Sequence, residues 1–339
     1  MSQSVETGTP QAPYAIRSVF NGDSLGRDSA IFWTGVGLLA LAGWLIGDSY
    51  VLHIFILVFI WCVVISSWDL ILGYAGIFNY AQLVFFAFGA YAAAMLSIYA
   101  GTTALLSIAI AGLGGAVVGA LIALPALRLK GEYIALYTFA VHLALPPIIQ
   151  QGRAIGMGGN TGLLGIPAVD FFGYRISTID KLAWFWLALA VAAVSVYAIY
   201  FLILRRRMGL AFIAMRDVDA FAQAIGVNAA RYKVLAFVVS AMFTAVAGGL
   251  YAHYTAVVTP KILGTEFFLM AMVMLAIGGM GRFPGAIIGV FVVVIGNELL
   301  RTFDDYRLLL LGFAVVLVVI FLPNGLVGLF RRVGGSRSG

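Results

Sequence analysis

Long apolar runs separated by short polar stretches repeat along most of the chain. Stretches of 17 or more apolar residues recur, enough to cross roughly 30 Å of hydrocarbon at about 1.5 Å per residue. None alternates residue by residue as a half-buried strand would. The pattern predicts an all-α polytopic membrane protein with about ten transmembrane helices, at about 30–47, 51–67, 83–100, 103–124, 132–149, 184–204, 232–256, 266–280, 285–301 and 307–323. Residues 1–29 are polar and carry Pro, Gly and Ser, which predicts a disordered cytoplasmic tail. The membrane-spanning body then covers 30–325, and 326–339 form a second cytoplasmic tail. Segments 68–82 and 278–285 break the rhythm and are candidates for re-entrant or discontinuous helix.

Charge supplies the orientation. Putting the N-terminus inside leaves fourteen of the 20 Lys and Arg residues on the cytoplasmic side, among them Arg128, Lys130, Arg205 to Arg207, Arg216, Arg231 and Lys233. By the positive-inside rule both termini are cytoplasmic and the number of spans is even. The net charge of +6 therefore reports topology and does not indicate nucleic-acid binding. Only 10% of residues are charged and 63% hydrophobic, far from the roughly 25% charged of a soluble domain. Cys62 is the one cysteine, so no intrachain disulfide forms.

Catalytic and cofactor machinery is not evident. The chain contains no phosphate-cradling Gly-x-x-x-x-Gly-Lys-Ser/Thr, no His-Glu-x-x-His and no Gly-x-Ser-x-Gly. His53, His142 and His253 fall on different spans with no carboxylate at ligand spacing, so no metal site is expected. Energy for uphill movement must then come from an ion gradient or another subunit.

The most informative stretch is the loop 205–233. After Arg205-Arg206-Arg207 the chain turns amphipathic over AMRDVDAFAQAIGVNAARYK, far more than is needed to join two spans. Phe212, Met215, Ala222 and Ile225 recur on one side at helical spacing, with Arg216, Asp219 and Gln223 opposite and Gly226 as a stop. A helix lying on lipid is usually rich in Lys and Arg on its polar face. Here Asp217 and Asp219 would face anionic headgroups, which favours a protein partner.

Two glycine segments show a faint likeness. Gly73-Tyr-Ala-Gly76-Ile-Phe78 and Gly278-Gly-Met-Gly281-Arg-Phe283 share Gly-x-x-Gly-x-Phe. Paired glycine interruptions mark broken helices along a substrate path in many transporters. Close helix packing is the alternative, since Gly115-x-x-x-Gly119, Ala245-x-x-x-Gly249 and Gly285-x-x-x-Gly289 occur as well. Candidate path residues are Asn79 and Gln82 after the first break, His142 before Pro146-Pro147, and Asn297 and Glu298 near the outer end of their span. Interhelical hydrogen bonding is the competing role for each. Near the outer boundary, His53, His253 and Glu266 read as interface anchors. The glycine-rich outer loop 150–183 could meet a soluble binding protein or act as a cover.

Four blocks, in order, carry a resemblance. They are Leu72 to Gly76 with Phe85 to Tyr91, Leu127 to Tyr133, Gly158 to Pro167, and Met208 through Arg216 to Asn228, Lys233 and Gly249. Gly278 to Gly281 and Pro284-Gly285 complete the set. The chain resembles the LivM-type permease subunits of ABC importers for branched-chain amino acids. The resemblance implies a multi-pass protein of the bacterial inner membrane that is no enzyme itself. It implies two cytoplasmic ATP-binding subunits, a second paralogous permease and a periplasmic substrate-binding protein as partners, besides membrane lipids. The loop would be the coupling helix for the ATP-binding subunits, through Arg216, Asp217, Asp219, Ala220, Phe221 and Gly226. Phe221 stands at a usual alanine position, Glu132 at a usual proline, and His142 where an acidic residue is common. Permeation of urea or short amides is the alternative cargo within the group. An ion-coupled secondary transporter is the alternative class, and it would need buried acidic residues at mid-depth. The predicted spans hold none at clearly central positions.

Overall fold

The computed structural model describes residues 22–299, apart from 130, 172, 173, 178 and 218–227, together with 312, 313, 325 and 326. Helices follow the apolar runs closely. They are α1 (Gly22–Leu45), α2 (Ser49–Asp69, extended by a π-helical turn over Leu70–Tyr74), α3 (Gln82–Tyr99), α4 (Ala104–Ala126) and α5 (Glu132–Gln151). After the loop that follows α5 come α6 (Lys181–Tyr197, with a π-helical segment Ala198–Ile203), α7 (Arg207–Asp217), α8 (Ala229–Thr255), α9 (Thr265–Gly278) and α10 (Gly285–Leu299). Among the described residues seven helices are long and apolar enough to cross a membrane. α9 and α10 are shorter, at 14 and 15 residues. The tenth expected span, 307–323, lies outside the described residues except for 312 and 313.

Two helices form the centre. From Val58 to Asp69 every residue of α2 is buried, so this helix is enclosed by protein on all sides, as an all-round apolar sequence requires. α8 packs beside it and against α3 and α4. The seams are built from small residues. A Cβ added at Gly119 of α4 would stand 2.6 Å from the Ala241 Cβ and 2.7 Å from the Phe237 carbonyl oxygen of α8. Gly115 faces Ala245 in the same seam, and Gly285 and Gly289 of α10 lie on Gly278 and Met274 of α9. Backbones approach this closely only without side chains between them, which is how membrane helices gain packing energy. Those small-residue motifs are therefore packing seams.

The connections sort into two ends. Residues 73–74, 200, 216 and 281–283 meet at one end. At the other, Tyr50 meets Glu298, His53 meets Tyr254, and the Tyr99 hydroxyl donates to the Gly156 carbonyl at 2.9 Å. This is the alternation that successive crossings produce. At that second end the loop after α5 is held down. β1 (Leu163–Leu164) pairs antiparallel with β4 (Val257–Val258), just past α8. Within the same loop β2 (Val169–Phe171) pairs with β3 (Tyr174–Ile176). His253 Nδ1 lies 2.9 Å from the Pro167 carbonyl oxygen and Nε2 lies 3.3 Å from Ser97 Oγ. The loop thus covers the helix ends, and His253, fully buried, is a tie within the protein and not an anchor at the lipid surface.

α1 begins at Gly22, ahead of the span expected from about 30. In segment 68–82, α2 continues through its π-helical turn to Tyr74, and a largely buried irregular stretch then leads into α3. α5 runs through Pro146-Pro147 to Gln151, two residues past the expected end at 149.

Candidate functional site

Between α2, α3 and α8 lies a buried polar network. Ser67, Asn79, Gln82, Ser240 and Thr244 are all 0% exposed. Gln82 Nε2 donates to Ser67 Oγ at 3.2 Å and to Thr244 Oγ1. Ser240 Oγ donates to Gln82 Oε1 at 3.1 Å and lies 2.7 Å from the Ser67 carbonyl oxygen. Ser67 Oγ and Thr244 Oγ1 are 2.7 Å apart. Asn79 Oδ1 accepts from the Ala81 N–H at 3.0 Å, turning the chain into α3, while its carbonyl accepts from Trp68 Nε1 at 2.7 Å. With its neighbours satisfied, Gln82 acts here as a clamp between three helices, and Asn79 as the turn that delivers it. The serine and threonine partners carry no pattern in the sequence that singles them out.

The two glycine segments meet one another. A Cβ at Gly73 would stand 2.9 Å from the Gly281 Cα, and Gly76 and Gly281 hold positive φ of 67° and 69°. Only glycine takes such angles at little cost, and at this spot it also lets two backbones touch. Asp69, 0% exposed, spans the junction. Its Oδ1 accepts from the Gly281 N–H at 2.6 Å and its Oδ2 from the Tyr200 hydroxyl at 2.9 Å. The Phe283 N–H donates to the Tyr74 hydroxyl at 3.1 Å. Neither Asp69 nor Tyr200 stands out in the sequence. Asp69 sits just past the expected end of its span, yet the helix carries it onward and buries it, so a carboxyl group does lie inside a membrane helix.

α7 is seated on this junction. Arg216 Nη1 donates to the Gly73 carbonyl at 2.8 Å, and its Nε lies 3.2 Å from Asp217 Oδ1. Phe212, Ile213 and Met215 are buried, with Phe212 edge-on to Tyr232 at 6.2 Å. The apolar side of this helix therefore packs on its own chain, and Arg216 points with it toward the glycine junction. Asp219, Ala220, Phe221 and Gly226 fall outside the described residues.

The remaining candidates scatter. His142 is 3% exposed, lies against Phe139 and Phe268, and its Nδ1 has no hydrogen-bond partner. Glu298 bonds the Tyr50 hydroxyl beside a cavity of about 280 Å³ between α2 and α10. The neighbouring Asn297 Oδ1 is buried without a partner. A larger groove of about 430 Å³ between α4, α6 and α8 is lined by Leu113, Val191, Val194, Met242, Phe243 and other apolar groups, a surface suited to lipid tails. The structure thus joins Asn79 to Gln82, but does not bring them, His142, and the sequence neighbours Asn297 and Glu298 into one site. No cluster of three or more metal-ligating side chains occurs among the described residues.

A multi-pass helical membrane protein with small-residue seams and a loop helix seated at one end is the class that fold and junction define. Over residues 50–320 the chain matches the family described as "Branched-chain amino acid transport system / permease component", and it belongs to that family. It is 32% identical over 285 residues to the high-affinity branched-chain amino acid transport system permease protein LivM of Escherichia coli K12, covering 77% of this chain and 64% of that one. It is 27% identical over 199 residues to LivH of the same organism, covering 58% and 59%. A probable LivM of Methanocaldococcus jannaschii is 25% identical over 238 residues, covering 66% and 68%. The chain spans just under two thirds of the length of the bacterial LivM proteins it matches. No solved structure matches it.

Proposed function

We propose that the protein is a transmembrane permease subunit of an ATP-driven importer for branched-chain amino acids. Membership of a permease family supports this, and one structural observation carries it: a loop helix, α7, bonded by Arg216 to the junction of two glycine segments. A helix so seated is suited to pass force from a cytoplasmic motor into the membrane. In this reading the chain hydrolyses nothing itself. Two ATP-binding subunits dock on the 205–233 loop, both termini face the cytoplasm, and the 150–183 loop faces a periplasmic binding protein. Likeness to both LivM and LivH supports a second, paralogous permease. An amino acid carries two charges and needs polar company along its way. The apolar grooves of this single chain offer little of it, which supports a path between the two permeases, with His142 and the Asn297–Glu298 pair beside it.

An ion-coupled carrier is the second reading, and buried Asp69 is the observation in its favour. Both Asp69 oxygens already accept a hydrogen bond, which weighs toward a structural use. Affinity purification of the tagged chain from its native membrane is the test. Recovery with two P-loop ATPases and a paralogous permease is expected. Recovery of the chain alone under mild detergent, with no ATPase activity, would oppose the proposal.

A further inference from the structure

We propose that Asp69 is a positioning residue that makes α7 and the α9–α10 hairpin move as one unit. This rests on the reading of α7 as the helix on which the ATP-binding subunits act, and it names the element that helix would drive.

The geometry is a chain of contacts with no slack. Arg216, at the end of α7, holds the Gly73 carbonyl at 2.8 Å. Gly73 belongs to the same turn as Asp69, and the Asp69 carboxylate holds the Gly281 N–H at 2.6 Å, in the turn that joins α9 to α10. That turn is held again where the Phe283 N–H donates to the Tyr74 hydroxyl at 3.1 Å. A Cβ at Gly281 would stand 2.6 Å from the Gly73 carbonyl oxygen and 3.0 Å from Arg216 Nη1, so all three groups share one point. Tyr200 braces the far oxygen of Asp69 from the end of α6 at 2.9 Å.

Asp69 has no ion-pair partner among the described residues, and it is 0% exposed. A buried carboxyl group is costly in a membrane helix, and such groups are commonly tied to function. Mere helix packing would be served as well by an apolar side chain. What an apolar side chain cannot do is hold the Gly281 amide. The carboxylate therefore ties the turn between α9 and α10 to a rigid, enclosed helix. With Arg216 on the neighbouring carbonyl, displacement of α7 pulls that helix end, and the hairpin follows.

Hydrogen exchange of the purified chain in nanodiscs, with the 280–283 amides as readout, tests the link without reference to ATP. Arg216→Gln removes no hydrogen bond accepted from those amides, yet should speed their exchange at least tenfold. Asp69→Ala should do the same, and Asp69→Asn, which keeps a carbonyl oxygen for Gly281, should restore most of the protection. Unchanged exchange in Arg216→Gln overturns the proposal. In the assembled transporter, Arg216→Gln and Asp69→Ala should lower leucine uptake per ATP at least fivefold, while ATP turnover stays within twofold. Parallel loss of both activities would mark a purely structural residue and also overturn it. Absence of ATP-driven uptake in the unmutated assembly would contradict the functional reading instead, and would leave the exchange result standing.

Discussion

Gln82→Met separates a helix clamp from a path residue. The substitution keeps side-chain length and volume, so it opens no large cavity and introduces little strain. It deletes the Nε2 bonds to Ser67 and Thr244 and the bond that Ser240 donates to Oε1. Interhelical hydrogen bonds in membranes average about 0.6 kcal/mol each, so losing these three costs about 2 kcal/mol. An orphan cost adds to this at buried Asn79, whose Nδ2 donates to Gln82 Oε1 at 3.4 Å and loses that bond, whereas the hydroxyl partners each keep another. Ser67 Oγ retains the Val63 carbonyl at 2.8 Å, Thr244 Oγ1 the Ser240 carbonyl at 2.8 Å, and Ser240 Oγ the Ser67 carbonyl. A loss of about 2 kcal/mol lowers the folded-to-unfolded ratio roughly 30-fold at about 1.4 kcal/mol per tenfold. Reversible unfolding in mixed micelles with rising SDS fraction measures it, while uptake by the surviving folded protein should stay near normal. Stability within about 0.5 kcal/mol of the parent, together with altered uptake, would refute the clamp and return Gln82 to the substrate path.

Three further outcomes are expected. In a Cys62→Ser background, an impermeant thiol reagent added outside should label Thr161→Cys and not Asp219→Cys; the reverse pattern would invert the topology. His142→Leu should change uptake rate or cargo range while the subunits still assemble, and unchanged kinetics would make it a packing residue against Phe139 and Phe268. Phe221→Ala should cost about 2 kcal/mol of ATPase-subunit association, the scale of a buried aromatic hot spot, with normal membrane insertion. Complexes that purify with full ATPase content would remove Phe221 from the contact.

Most helix positions were legible because span length and apolar periodicity are local properties. The starts of α3, α4, α5, α9 and α10 lie within a residue of expectation. α2 was read too short because Asp69 resembles a charge that ends a span. Tyr200 and Gly281 satisfy that carboxylate from parts of the chain far away in sequence, which no local rule reveals. Likewise the glycine likeness of 73–78 and 278–283 was visible, whereas the contact between the two segments is a tertiary fact. Arg216 was readable as a polar residue on an amphipathic loop. Its inward direction follows from Phe212 and Met215 packing on the chain's own body, which the periodicity left open to a partner.

Reconstitution of the chain into proteoliposomes, with and without the subunits that purify with it, tests the central claim most directly. Radiolabelled leucine should accumulate only when the ATP-binding subunits, the second permease and the soluble binding protein are present and ATP is supplied on the cytoplasmic side. Accumulation by this chain alone, driven by a proton or sodium gradient without ATP, would contradict it.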